Sequence, residues 1–265
     1  MQSPYLFHNT MAAMNSRLDV VLWSRNANVH FSSVFAKMVR KVEEIELIYS
    51  KFDERAELYH LNKNAGKTSV EVSASLWSML KKSVEYHLKT KGYFNIGYTS
   101  AQSLDSQLIF DDDGQRVAFT SERVELDFGG VGKGIALKEL AAIIAQEEKM
   151  NAFICFGGSS VLTRGHHPYG DYWPLALEDD VQTTLDLRND ALSISGLHRH
   201  NVSEPMHVVE PQTGELKHRQ LLVAVKMDCP VEAEILSTAL LVAPQEYHRS
   251  ILNNFNVNKL ILQSL

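Results

Sequence analysis

The stretch LDFGGVGKGIALKEL, Leu126 to Leu140, decides the reading of this chain. Leu126 and Phe128 alternate about Asp127 as in a strand, and four glycines and Lys133 follow within six residues. An amphipathic helix is then predicted from Ile135 to about Lys149. Glycines at such a junction let a ligand approach the backbone, and the N–H groups that open the helix favour an anion. The same pattern also describes a tight turn with a solvated lysine.

The familiar nucleotide motifs do not fit. A P-loop needs a glycine, four residues, then Gly-Lys-Ser/Thr. Here Gly132-Lys133 is followed by Gly134, and Asp127 stands where the first glycine belongs. A dinucleotide fingerprint needs G-x-G-x-x-G and an acidic residue about 20 positions further on. This turn reads Gly130-Val131-Gly132-Lys133-Gly134 and has no such residue after it.

Around the turn, 265 residues with 45% hydrophobic content can bury a substantial core. A net charge of −6 without long Lys/Arg runs argues against a nucleic-acid partner. Cys155 and Cys229 each border an apolar strand-like run and read as buried, unpaired thiols. No apolar run is long enough to span a bilayer. The start, MQSPYLFHNTMAAM, shows neither an export signal nor a lipid-anchor cysteine, so a cytoplasmic location is expected unless an upstream segment is missing.

The predicted order begins with a strand in RLDVVLWSR and a helix carrying Val34, Met38, Val42, Ile45 and Tyr49. Helices in ERAELYHLN and LWSMLKKSVEYHL follow, the second ending at Gly92. A hairpin is expected to turn at Asp113-Gly114, Asp-Gly being suited to positive φ. After the glycine turn, strands are predicted in AFICF, WPLALE, TTLDLR, ALSISG, MHVVEP and LLVAVKMD. Helices at Val231 to Val242 and Gln245 to Asn254 precede a last strand, NKLILQ. With no repeat or linker, residues 1–265 read as one α+β domain with a large mixed or antiparallel sheet flanked by helices.

Eight stretches, in order, carry a resemblance: TMAA at Thr10, AELYHLN at Ala56, GYFN at Gly92, DFGGVGKG at Asp127, GGS at Gly157, ISG at Ile194, HVVEPQTG at His207 and AEILSTAL at Ala233. Together they resemble the FAD:protein FMN transferase family, the ApbE-like proteins, over nearly the whole chain. The resemblance implies an ApbE-like, T-fold-related domain and a Mg²⁺-dependent enzyme. Such an enzyme cleaves FAD, passes the FMN phosphoryl group to a threonine of an acceptor flavoprotein and releases AMP. It also implies that the FAD pyrophosphate lies near the glycine turn.

Carried over by position, the resemblance implies metal ligation by Glu234, Thr238 and a backbone oxygen near Gly130, with Ser237 a further candidate. Glu234 and Thr238, four apart, face one way on a helix; their ordinary alternative is a solvated glutamate and a threonine bonded to its own helix. His207 and Lys133 are the implied catalytic residues. His207 would orient or deprotonate the incoming hydroxyl, a role suited to a group titrating near neutrality. Flavin contacts are implied for Met11, Phe52, Tyr93, Phe94, Asn95, Asp127, Lys133, Ser195, His207 and Val208, with core packing the alternative for Met11 and Phe52. His198 and His200 have no clear counterpart, and His166 and His167 read as loop residues.

Several positions depart from the family pattern. Asn95 and Ser159 replace aspartates, Glu210 and Glu234 replace shorter carboxylates, and Ala56 and Ile194 replace a serine and a threonine. Two further readings are therefore kept: a flavin-binding relative without transferase turnover, and an FAD pyrophosphatase with water as acceptor.

Overall fold

Nine-residue strands β1 (Tyr5–Ala13) and β2 (Ser16–Ser24) pair antiparallel and start the main sheet. In β2, Leu18, Val20 and Leu22 recur with period two and are fully buried, which fixes its register. β1 has no such row: its residues are mostly exposed, as suits the edge strand it is. A computed structural model describes residues 3–97, 102–177, 180–196, 209–211, 213–214 and 221–264, without the side chains of 180–182.

The main sheet adds β6 (Asn151–Phe156), β7 (Ser160–Arg164), β10 (Ala191–Ser195), β11 (Leu221–Met227) and β12 (Lys259–Ser264). Among the described residues its seven strands run in the order β1-β2-β6-β7-β10-β11-β12, every neighbouring pair antiparallel. Alternate residues serve two cores. Ile154, Phe156, Leu162, Val223 and Val225 point to a helical layer. Cys155, Val161, Leu192 and Leu222 point to the hairpin β8 (Trp173–Leu177) and β9 (Asp180–Leu187). That alternation places Ser160, Ser193 and Ser195 on the helical side.

The helical layer contains α1 (Phe31–Tyr49), α2 (Glu57–Asn64), α3 (Ala74–Lys89), the short α4 (Leu104–Gln107), α5 (Gly132–Ala145), α6 (Pro230–Val242) and α7 (Gln245–Leu252). On α1 the buried Val34, Met38, Val42 and Ile45 form the expected apolar stripe. A small sheet orders β3 (Val70–Glu71), β5 (Arg116–Phe119) and β4 (Leu108–Asp111).

Several expectations are corrected. Residues 124–128 form no strand; Asn62 instead holds Leu126 at both ends, its Oδ1 accepting from the Leu126 amide and its Nδ2 donating to the Leu126 carbonyl, each at 2.9 Å. α5 starts at Gly132, ends before Lys149, and is not amphipathic, since α1 and α6 cover it on two sides. The hairpin turn puts positive φ on Gln115 rather than Gly114, because its loop spans residues 112–115 and places Gln115 last before β5. Cys229 is half-buried, not buried, although both thiols are free. Of the strand expected in MHVVEP, residues 206–208 lie outside the described residues and 209–211 form no strand.

α5 and α6 run antiparallel and nearly touch. A Cβ on Gly134 would lie 2.6 Å from the Pro230 carbonyl oxygen and 2.8 Å from Glu234 Cγ, whereas one on Gly132 meets nothing within 4 Å. Gly134→Ala is therefore expected to destabilise the protein by about 1–3 kcal/mol through overpacking. Gly132→Ala is expected to be neutral or to stabilise by about 0.5 kcal/mol. Urea unfolding of the two variants checks this, and equal effects would remove the close helix contact.

Candidate active site around the glycine turn

The turn is shaped by its own aspartate. Asp127 Oδ1 accepts from the Gly129 amide at 2.7 Å, and Oδ2 lies 3.1 Å from Lys51 Nζ, which also pairs with Glu125. The Asp127 amide donates to the Ile96 carbonyl at 2.7 Å. Gly129 and Gly130 are exposed while Val131 is fully buried, so the chain surfaces at the glycines and dives back to begin α5. The Gly132 amide donates to the Phe128 carbonyl, so one N–H that could meet an anion is used by the turn.

From the first turn of α5, Lys133 Nζ donates to Ser159 Oγ at 3.1 Å. Ser159 belongs to the glycine turn between β6 and β7, so the lysine ties two glycine-rich segments together. Its charge also acts on Glu234. Glu234 is 6% exposed, and its Oε1 has no hydrogen-bond partner among the described residues. Burial pushes its carboxyl above the usual carboxylate range, while Lys133 and the hydroxyls of Ser160 and Ser193 oppose that rise.

The other α6 residues divide. Thr238 is half-buried and faces the glycine turn: a Cβ on Gly130 would lie 3.9 Å from its Cγ2 and 4.0 Å from its Oγ1. Ser237 is fully buried, with Oγ 2.9 Å from both Ser193 Oγ and Ser195 Oγ and 3.1 Å from the Glu234 carbonyl, to which it donates. Its hydroxyl is engaged by the helix and by β10. The ends of α5 and β6, one end of β10 and the middle of α6 thus bring Gly130, Lys133, Ser195, Glu234 and Thr238 into one place. Ser160 and Ser193 belong there as well; their only signal in sequence was a polar residue in an otherwise apolar strand.

Of the remaining positions, the GYFN segment adjoins the turn through the Ile96 carbonyl, and Phe52 through its neighbour Lys51. Met11 is half-buried on β1 against the core, and Phe52 is 81% exposed with Lys51 Nζ 5.2 Å from its ring centroid. Tyr93 and Phe94 are each 4% exposed, Tyr93 packing on Tyr247 with ring centroids 5.6 Å apart. Asn95 accepts from the Gly97 amide at 2.8 Å and donates to the Gln102 carbonyl at 3.2 Å. It lines a cavity of about 300 Å³ with His87, Ser103 and Pro211, which brings GYFN beside the Pro of HVVEPQTG. His207, Val208, His198 and His200 lie outside the described residues.

The donors around Glu234 are all oxygens: its carboxylate, the Thr238 hydroxyl and the backbone of Gly130. Glu234 Oε1 is buried with no hydrogen-bond partner among the described residues, and oxygen donors of this kind suit a hard divalent cation. Among the described residues there is no group of three or more His, Cys, Asp or Glu able to hold a metal ion, so any cation here depends on hydroxyl and carbonyl oxygens.

The sequence profile of the ApbE family matches residues 14–107 and 100–261, and the chain belongs to that family. Solved structures share the fold. The flavin transferase ApbE from Vibrio cholerae has TM-score 0.85 at 16% identity, covering 98% of this chain and 93% of that one. The flavinyl transferase ApbE from Pseudomonas stutzeri, in apo form, has 0.83 at 17%, covering 98% and 94%. The ApbE protein from Thermotoga maritima has 0.80 at 21%, covering 94% and 91%. No curated protein sequence matches significantly.

His87 lines the same cavity as Asn95. Its Nδ1 lies 2.9 Å from the Phe94 carbonyl, which can only accept, so Nδ1 carries the proton, and Nε2 lies 3.0 Å from Ser103 Oγ and 3.4 Å from the Leu104 amide. Burial lowers its pKa, opposed by the Phe94 carbonyl and by Asp105. Below the unfolded value of 6.5 the unfolded chain takes up a proton that the folded chain resists, so this contribution is full above that pH and is lost as pH falls toward the folded value. His87→Gln is expected to be less stable at pH ~7.5 by about 1–3 kcal/mol, the gap to wild type narrowing by pH ~5.5. A gap independent of pH in urea unfolding would contradict this.

Proposed function

We propose that the chain is a divalent-cation-dependent flavin transferase. It cleaves FAD, moves the FMN phosphoryl group to a threonine hydroxyl of an acceptor flavoprotein, and releases AMP. Family membership and the flavin transferases among the fold's neighbours support the reading. The observation that carries it is the apposition of the glycine turn and the start of α5, which carry Gly130 and Lys133, to Glu234 and Thr238 of α6.

In the proposed reaction the threonine oxygen bonds to the FMN phosphorus while the bridging P–O bond to AMP breaks. The hydroxyl proton passes to a base, and negative charge develops on the leaving oxygen. Lys133 is placed to bear on that charge, in a site where positioning and charge neutralisation matter more than covalent chemistry. Ser159 gives the lysine a neutral partner, so its positive charge is not cancelled there. Glu234, Thr238 and the Gly130 carbonyl would hold Mg²⁺, which when bound neutralises pyrophosphate charge. His207 takes the role of base by its sequence match.

The test is incubation with FAD, Mg²⁺ and a threonine-containing acceptor. Covalent FMN on the acceptor is expected, and it is expected to disappear with chelator. Free FMN plus AMP would identify a pyrophosphatase, and intact bound FAD a binding protein. His207→Ala is expected to slow transfer about 10²–10⁴-fold with little effect on FAD affinity. Lys133→Ala should weaken FAD binding, and Glu234→Gln should abolish cleavage in a folded protein. A loss of only a few-fold with His207→Ala would remove it as the base.

A further inference from the structure

The lysine in the first turn of α5 and the glutamate of α6 start side by side, yet the lysine's hydrogen bond goes elsewhere. Lys133 precedes Gly134, and a Cβ on Gly134 would lie 2.8 Å from Glu234 Cγ, so both arms leave from one helix contact. Glu234 Oε1 is buried with no hydrogen-bond partner among the described residues. An ammonium on a flexible four-carbon stem is suited to meet such an oxygen. Lys133 Nζ donates to Ser159 Oγ at 3.1 Å instead. Ser159 is placed by the sheet and by neither helix: its amide donates to the Phe156 carbonyl at 3.1 Å, and its carbonyl accepts from the Ile194 amide at 2.8 Å. The turn that carries it uses Gly157 and Gly158, at φ of 56° and 78°.

We propose that Ser159 is a positioning residue for Lys133: its hydroxyl holds the ammonium at the rim of the site, off the Glu234 carboxylate, and so keeps Oε1 open for the cation. The proposal rests on the reading of Glu234 as a cation ligand and adds what keeps that ligand free. The balance behind it is close. An ammonium and a carboxylate gain Coulomb energy by closing together, but the ammonium loses hydration in following the carboxylate inward. Ser159 is half-buried, and at that rim its neutral hydroxyl offers a partner without the same loss, leaving the positive charge whole for an anion. Without the hydroxyl, the buried carboxylate is the acceptor beside the stem. A lysine seated on Oε1 then competes with the metal for the same oxygen.

The experiment is a double-mutant cycle on Mn²⁺ affinity, read from the electron paramagnetic resonance signal of the free ion, on the whole chain without FAD. Ser159→Ala is made in wild type and in Lys133→Met, with thermal melting recorded for every variant. In wild type the change is expected to weaken Mn²⁺ binding about 10–100-fold, the range for groups that act on a metal through its ligand. In Lys133→Met the same change should alter affinity less than about 3-fold, because no ammonium remains to be held. Ser159→Thr keeps the hydroxyl and is expected to retain wild-type affinity. A metal-free crystal structure of Ser159→Ala is expected to place Lys133 Nζ within about 4 Å of a Glu234 carboxylate oxygen. Equal losses in both backgrounds, no loss in wild type, or a lysine that stays off Glu234 in Ser159→Ala would overturn the positioning role and leave the cation reading standing. Absence of Mn²⁺ binding to the unchanged protein, saved by neither FAD nor AMP, would overturn the cation reading and this proposal together.

Discussion

The contact on which the arrangement depends is the approach of α5 to α6 at Gly134. Only a residue without a Cβ lets the Pro230 carbonyl and Glu234 Cγ come so close. The antiparallel path that follows sets Gly130 opposite Thr238 one helical turn away. The exposed glycines, the lysine at the helix start and the carboxylate of α6 are placed by that single close packing. The sheet beneath contributes the serines, and Asn62 and Asp127 hold the approach to the turn.

A carboxylate in this position is costly to the folded state. Burial penalises its charge, and the positive group that bears on it, Lys133, donates its hydrogen bond to Ser159. A buried charge without a complete set of partners destabilises unless something supplies them. A bound cation would supply them, so stability and ligand binding are coupled through Glu234. The exchange of aspartate for serine at position 159 fits the same balance. It removes one negative charge beside Lys133 while the glutamate keeps another within its reach.

Much of this was legible in the sequence because burial enforces pattern. The stripe Val34, Met38, Val42 and Ile45 gives α1, and the period-two row of β2 gives its face. β1 escaped because, as an edge strand, it buries only Ala13 and half-buries Phe7 and Met11, too few to show a period of two. The two-residue β3 and the four-residue α4 offered too few residues for any period to appear. The segment before the glycine turn looked like a strand, yet its backbone partners are the Asn62 side chain and the Ile96 carbonyl, which no local pattern encodes. Glu234 and Thr238 came from the family resemblance, their i, i+4 spacing adding only that they share a helix face. The serines that bear on Glu234 were not visible, because a cross-strand partner sits 33 residues away in sequence. Tyr93 and Phe94 show the converse: aromatic residues in a motif segment whose burial makes them part of the core.

The central claim is that Gly130, Glu234 and Thr238 form one cation site at the mouth of the glycine turn. The most direct measurement is a crystal structure of the protein with Mn²⁺ and FAD, using anomalous scattering to locate the metal. The account predicts a single strong peak within about 2.0–2.4 Å of the Glu234 carboxylate, the Thr238 hydroxyl and the Gly130 carbonyl, with the FAD pyrophosphate beside Lys133. A peak elsewhere with FAD bound, or none at the turn while Lys133 Nζ moves onto the Glu234 carboxylate, would contradict it.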